Sequence, residues 1–172
     1  MRSSLKWFVT GFACLVLAAP AIFFTPASAA QGPGQAPGPA AAQVFSAADV
    51  HGLLAQLADQ AKAKGSTSST LADYGSHALR LNARTTSGGG EIHAHNDDVM
   101  LVTEGKATLI TGGTVIDPHT GSDGETRGSG IQNGIVQTIS VGDIVHIPAG
   151  TPHQLVVASG TTYSYVVIKV RE

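Results

Sequence analysis

The stretch "GDIVHIPAGTPHQLVV", residues 142–157, decides how this sequence folds. Gly142-Asp143 turns the chain into a β-branched run, Ile144 to Ile147. Pro148, Gly150 and Pro152 then force a tight reversal. His153 follows at once, opening the next strand. A histidine set in place by a rigid turn loses less conformational entropy when it binds an ion.

Some fifty residues earlier, "EIHAHNDDVMLVTEG", residues 91–105, brings His93 and His95 together with Asp97 and Asp98. On a strand, alternate side chains share a face about 6.6–6.8 Å apart. Read that way, both imidazoles reach one ion at about 2.1 Å. His93, His95 and His153 are therefore the expected metal ligands. Asp98 is the adjoining carboxylate, and Asp97 is a solvated turn residue.

The surrounding texture is that of a β protein. "HALRLNA", "EIHAH", "VMLVTEG", "KATLITGG", "IVQTISVGDIVHIPAG", "HQLVVAS" and "TYSYVVIKV" are short β-branched runs divided by Gly, Pro and Asp turns. They predict an antiparallel sandwich or small barrel with room for one ligand. Residues 117–134, polar and glycine-rich, predict a long loop or extended hairpin at one end. Ahead of the strands, residues 46–64 predict one amphipathic helix. Ser46 is its N-cap, Asp49 stands three residues on, and Val50, Leu53, Leu54, Leu57 and Ala61 recur at helical spacing. Lys62 and Lys64 suit the C-terminal end of the dipole, and Gly65 stops the helix.

The ends of the domain are marked by composition. Residues 1–29 have the pattern of a secretory signal peptide: Arg2 and Lys6, an apolar run from Trp7 to Phe24, then Ala27-Ser28-Ala29. Cleavage is expected after Ala29 or one residue later. An uncleaved anchor is the rival, and a lipid attachment at Cys14 is weaker still. Residues 30–44, rich in Pro, Gly and Ala, read as a tether. The folded domain is expected over 45–172, in a secreted or periplasmic protein.

Removing the leader leaves eight basic and twelve acidic residues, a net charge of −4. No basic run survives, so nucleic acid and anionic membranes are not expected partners, nor is stable membrane insertion after cleavage. The single cysteine, Cys14, leaves with the leader, which excludes a thiolate metal site or cysteine nucleophile in the remainder.

The other marked residues have bland readings. His51, His77 and His119 are expected at the surface, and His146 packs on the barrel exterior or faces the pocket as an acid or base. Tyr163 and Tyr165 share one face of the last strand as core or pocket wall. Arg80 and Arg84 are solvated edge charges, or they meet an anionic substrate. Asp117, Asp123 and Glu125 lack the spacing of a calcium loop.

The two histidine stretches resemble the paired signature motifs of the cupin superfamily over residues 77–170. Gly142, Pro148, Gly150 and His153 match the second motif at every spacing, with Val157 where that motif has Asn. His93-Ala94-His95 matches the first, with Gly88 or a neighbour upstream. Asp98 stands where that motif has Glu, with six residues between it and Gly105, after a shortened turn. The resemblance implies an all-β, cupin-like double-stranded β-helix (jelly-roll) barrel with one N-terminal α-helix. It also implies one divalent metal, Mn, Fe, Ni or Zn, held by His93, His95, His153 and Asp98. If Asp98 ligates, the site is an octahedral N₃O set that suits Mn, Fe or Ni. If it does not, a three-histidine site suits Zn, Fe or Cu.

Three functions are compatible with this reading. The first is a metal-dependent enzyme of oxygenase, isomerase or lyase type, acting on a small oxygen-rich molecule. The second is a non-catalytic module binding a sugar or phenolic compound, with a structural metal or none. The third is a tethered interaction protein that uses the helix and barrel edges for self-association. A homodimer is expected in each case.

Overall fold

The computed structural model describes residues 42–172. The expected leader and the tether through residue 41 lie outside the described residues. Helix α1, Ala47–Lys64, begins where the sequence supplies a cap: the Asp49 N–H donates to Ser46 Oγ at 3.1 Å, and that hydroxyl donates to the Asp49 carboxylate at 2.6 Å. Gly65 closes it in a left-handed conformation, its N–H bonded to the Ala61 carbonyl. Among the described residues no helix is long and apolar enough to cross a membrane.

Thirteen strands follow: β1 Ser66–Asp73, β2 His77–Arg84, β3 Gly90–Ile92, β4 Asn96–Glu104, β5 Lys106–Thr111, β6 Thr114–Ile116, β7 His119–Thr120, β8 Thr126–Gly128, β9 Gly130–Gln132, β10 Ile135–Ser140, β11 Ile144–Ile147, β12 His153–Val156 and β13 Tyr163–Arg171. β1, rich in Ser and Thr, is not among the strands that the sequence predicts. It holds as an edge strand whose alternate side chains face water, paired along its length to β2.

The strand pairing reads as one long hairpin wound on itself. β5 pairs with β10, β4 with β11, β3 with β12 and β2 with β13, all antiparallel, the innermost pair first and the outermost last. Rolling this ribbon adds the contacts β4 with β13 and β5 with β12. The result is a five-stranded sheet, β1-β2-β13-β4-β11, and a six-stranded sheet, β10-β5-β12-β3-β8-β7. This nesting is the winding of a double-sheet jelly roll, as the sequence predicts. The sheets do not close into one continuous cylinder, and β10 and β11 are left as edges.

Alternation along the strands divides the core in two. Met100, Val102, Leu109, Ile139, Leu155, Tyr163, Tyr165 and Val167 fill the space between the sheets. The opposite face of β2, with Leu81 and Ala83, packs against Leu54, Leu57, Ala58 and Ala61 of α1. The helix thus covers the outside of the five-stranded sheet. It leaves the other face of β2, Ala78, Arg80, Asn82 and Arg84, turned to the interior.

Residues 117–134 form neither a plain loop nor a single hairpin. β7 and β8 pair with each other and β8 pairs with β3, so the segment extends the six-stranded sheet, while β9 pairs with β6.

Candidate metal centre

Register explains which groups meet. His153, the first residue of β12, stands directly opposite Glu91 of β3. Directly opposed residues of an antiparallel pair carry their side chains on one face, with Cβ atoms roughly 5 Å apart. His93 comes two residues after Glu91 and turns to the same side. Ligating atoms of Glu91, His93 and His153 lie within 4.8 Å of one another, and the two imidazole centroids are 5.0 Å apart. Asp98, on the inner face of β4, joins from the other sheet: its Oδ2 is 3.5 Å from His93 Nε2. Both histidines and Asp98 are buried, at 7, 7 and 6 % exposure.

The structure places His95 apart from this group. The expectation of His93 and His95 on one strand requires extended backbone at both, but β3 ends at Ile92 and β4 begins at Asn96. Residues 93–95 form a bend between them, and across it His93 turns inward while His95 is exposed. The imidazole of His95 lies against Gly124, where a Cβ would sit 3.0 Å from Nε2. Gly124 has φ +82°, so a side chain there would be strained as well as crowded.

The turn that delivers His153 is held at several points. Gly150 adopts φ +74°, a conformation that favours glycine, and its N–H donates to the His93 carbonyl at 2.8 Å. Gly112 N–H donates to the Pro152 carbonyl. Asp97 proves to be a bracket: it accepts from the Ala149 N–H at 2.7 Å and pairs with His146 at 2.9 Å. The His146 hydrogen bond is the leading reason its carboxyl lies below the usual range. His146 itself is exposed, on the outer side of β11.

Hydrogen bonds also fix which nitrogens are free. Thr151 O can only accept, so His153 Nδ1–H donates to it at 3.0 Å and Nε2 keeps its lone pair. Burial pulls the His153 imidazole below its ordinary value, which keeps it neutral and able to ligate. His93 Nδ1 donates to Glu125 Oε2 at 2.5 Å, the carboxylate–histidine arrangement that orients a metal ligand. Burial would lower His93, but the hydrogen bond and charge of Asp98, with the bond to Glu125, outweigh it, and the net shift is upward. Asp98 is opposed by its own burial, yet His93 and Lys169 hold it below the carboxylate range. Lys169 Nζ stands 2.7 Å from Asp98 Oδ1 as its ion-pair partner.

Glu91, Glu125 and Lys169 are site residues that the sequence reading missed. Glu91 had a signal: it alternates with His93 in "EIH", the same period-two argument applied one step earlier. Lys169 and Glu125 had none. Lys169 reaches Asp98 only because β13 pairs with β4, and Glu125 is carried in by the β7–β8 hairpin.

The donor set suits a divalent cation. Two imidazoles, His93 and His153, and two carboxylates, Glu91 and Asp98, converge in one place. Beside them opens a cavity of about 510 Å³, walled by β2, β13 and the β8 segment.

No family model matches the sequence, and no curated protein matches it. Solved structures do resemble the chain. The DMSP lyase DddQ from Ruegeria pomeroyi is 14% identical, over 62% of this chain and 47% of that one, with a TM-score of 0.45. A cupin-2 domain protein from Rhodospirillum rubrum is 18% identical over 63% of this chain and 61% of its own, at 0.45. KdgF from Halomonas sp. is 14% identical over 63% and 82%, at 0.46. The chain thus spans about half the length of the lyase. Its own nested strand pairing, with the Pro148–Pro152 turn joining β11 to β12, gives this chain a double-stranded β-helix (jelly-roll) fold.

Proposed function

We propose that this protein is an exported, divalent-metal-binding cupin that acts as a metal-dependent enzyme on a small oxygen-rich molecule. The observation that carries the reading is the convergence of Glu91, His93 and His153 within 4.8 Å, beside a cavity of small-molecule size. His93, His153 and Glu91 would hold the ion, with Asp98 as the further carboxylate. His95, named by the motif, would enter only if the bend at 93–95 rearranged. Mn, Fe, Ni and Zn all suit such mixed nitrogen and oxygen donors. The bound ion would supply Lewis acidity toward an oxygen ligand. Export rests on the leader-like residues 1–29.

The chain's own groups define the remaining chemistry. Glu125 orients His93, Thr151 sets the tautomer of His153, and Lys169 keeps Asp98 ionised. With His93 shifted up and Asp98 down, the shared proton rests on His93 Nε2. Uptake of a cation displaces that proton, so affinity rises as pH passes upward through the raised His93 value.

Elemental analysis after dialysis against each metal tests the reading. One ion per chain is expected, with at least a tenfold loss of affinity in His93→Ala and in His153→Ala, and proton release on binding. Metal content that is unchanged in both variants overturns it. The exposed edges of β10 and β11 further favour self-association as a homodimer.

A further inference from the structure

The inner face of β2 carries three donors in a row: Arg80, Asn82 and Arg84. Alternate residues of a strand are about 6.6–6.8 Å apart, so the row spans about 13 Å. It lines the same cavity as Glu91, His93 and Asp98. Every other cation of that wall is committed. Lys169 faces Asp98, Arg171 pairs with Asp73 at 2.6 Å, and Arg127 pairs with Glu91 at 2.9 Å. Arg80 and Arg84, by contrast, pair with no carboxylate among the described residues. Arg80 Nη2 reaches only the Ser68 hydroxyl at 3.2 Å, and Arg84 Nε only the Thr86 carbonyl at 3.4 Å.

Two atoms of the row are buried donors without an acceptor: Arg80 Nε and Asn82 Nδ2. A donor removed from water and left unpaired costs about 1–3 kcal/mol. A fold that keeps two of them side by side, with two guanidinium groups that pair with no carboxylate among the described residues, is complementary to an acceptor that comes from outside. Guanidinium matches a carboxylate bidentately, through two parallel N–H···O bonds. The length of the row suits an acceptor longer than a single oxyanion.

We infer that the substrate is an organic carboxylate, its carboxylate held by Arg80 with Asn82, and its further acceptor oxygens reaching Arg84 and the Glu91–His93–His153 centre. This rests on the proposed metal centre for the identity of the reacting end. The anion site itself stands on β2 alone.

Titration calorimetry on the full chain tests it, with and without Mn²⁺. The probes are succinate, glutarate, the neutral succinamide and inorganic phosphate. Succinate or glutarate should bind at least tenfold more tightly than succinamide or phosphate. Arg80→Gln with Arg84→Gln should abolish that preference while the Mn²⁺ content stays the same. Arg80→Lys with Arg84→Lys, which keeps the charge but not the fork, should recover only part of it. Thermal unfolding of each variant separates loss of the site from loss of the fold. Equal binding of succinate and succinamide, or an undiminished preference in a folded Gln variant, overturns the inference, and tighter binding of phosphate overturns the carboxylate class. If the chain holds no Mn²⁺ yet selects succinate through the two arginines, the metal reading falls and the anion site stands. Mn²⁺ binding without selection gives the reverse.

Discussion

At the scale of single residues, two side chains outside the centre make clear statements. Tyr163 is completely buried and its hydroxyl has no hydrogen-bond partner. Burial above all, with the charges of Tyr165 and Asp143, drives its titration far upward, since ionising it in the core is so unfavourable. Tyr163→Phe removes an unsatisfied polar atom and keeps the ring stack on Tyr165, whose centroid is 5.3 Å away. The variant should therefore be more stable by about 1 kcal/mol, read as a higher urea midpoint at unchanged m-value. Asp73 is the opposite case. It is exposed, and Arg171 holds its carboxyl at about 2, with help from the Gly75 backbone. A depressed carboxylate contributes stability above its unfolded value of 3.8, and that contribution is lost as pH falls toward 2. NMR titration of the Asp73 side-chain carbon should show a midpoint near 2, and Arg171→Gln should return it toward 3.8.

At the scale of elements, the edge strands matter most. β10 and β11 each end one of the two sheets, and each exposes large apolar side chains. Ile135, Val136 and Ile144 are 69, 65 and 73 % exposed. An open strand edge offers unpaired N–H and C=O groups to another chain, and an antiparallel contact between identical edges is self-complementary under a two-fold axis. A second copy is the occupant that fits both properties. Sedimentation should show a dimer at micromolar concentration. Ile135→Lys with Ile144→Lys should yield a monomer that retains its fold, and a monomeric parent chain at high concentration would remove the proposal. Helix α1 leaves less to argue. Its apolar stripe is spent on Leu81 and Ala83 of β2, and its C-terminal end is tied to the sheet by the hydroxyls of Thr67 and Thr85.

Across the whole molecule, what could be read in the sequence was what local chemistry determines. The cap at Ser46, the spacing of Leu54 and Leu57 and the Pro148–Pro152 reversal are local, and the helix and the β11–β12 turn followed from them. The strands were legible where β-branched residues dominate, as in β13. They were not in β1, whose serines resemble a linker until β2 is present to pair with them. The site divided in the same way. His153 followed from its turn. Facing among residues 91–98 depended on where extended backbone stops, and the bend at 93–95 ends β3 at Ile92 before β4 begins at Asn96. Glu125 and Lys169 are neighbours of the centre only through pairings made across the folded sheets.

The winding order has a consequence for how the chain matures. β13 lies in the middle of the five-stranded sheet, bonded to β2 on one side and β4 on the other. Until residues 163–171 emerge, β2 has only β1 beside it and β4 only β11, and the five-stranded sheet cannot be completed. Contacts of such long sequence separation favour slow assembly.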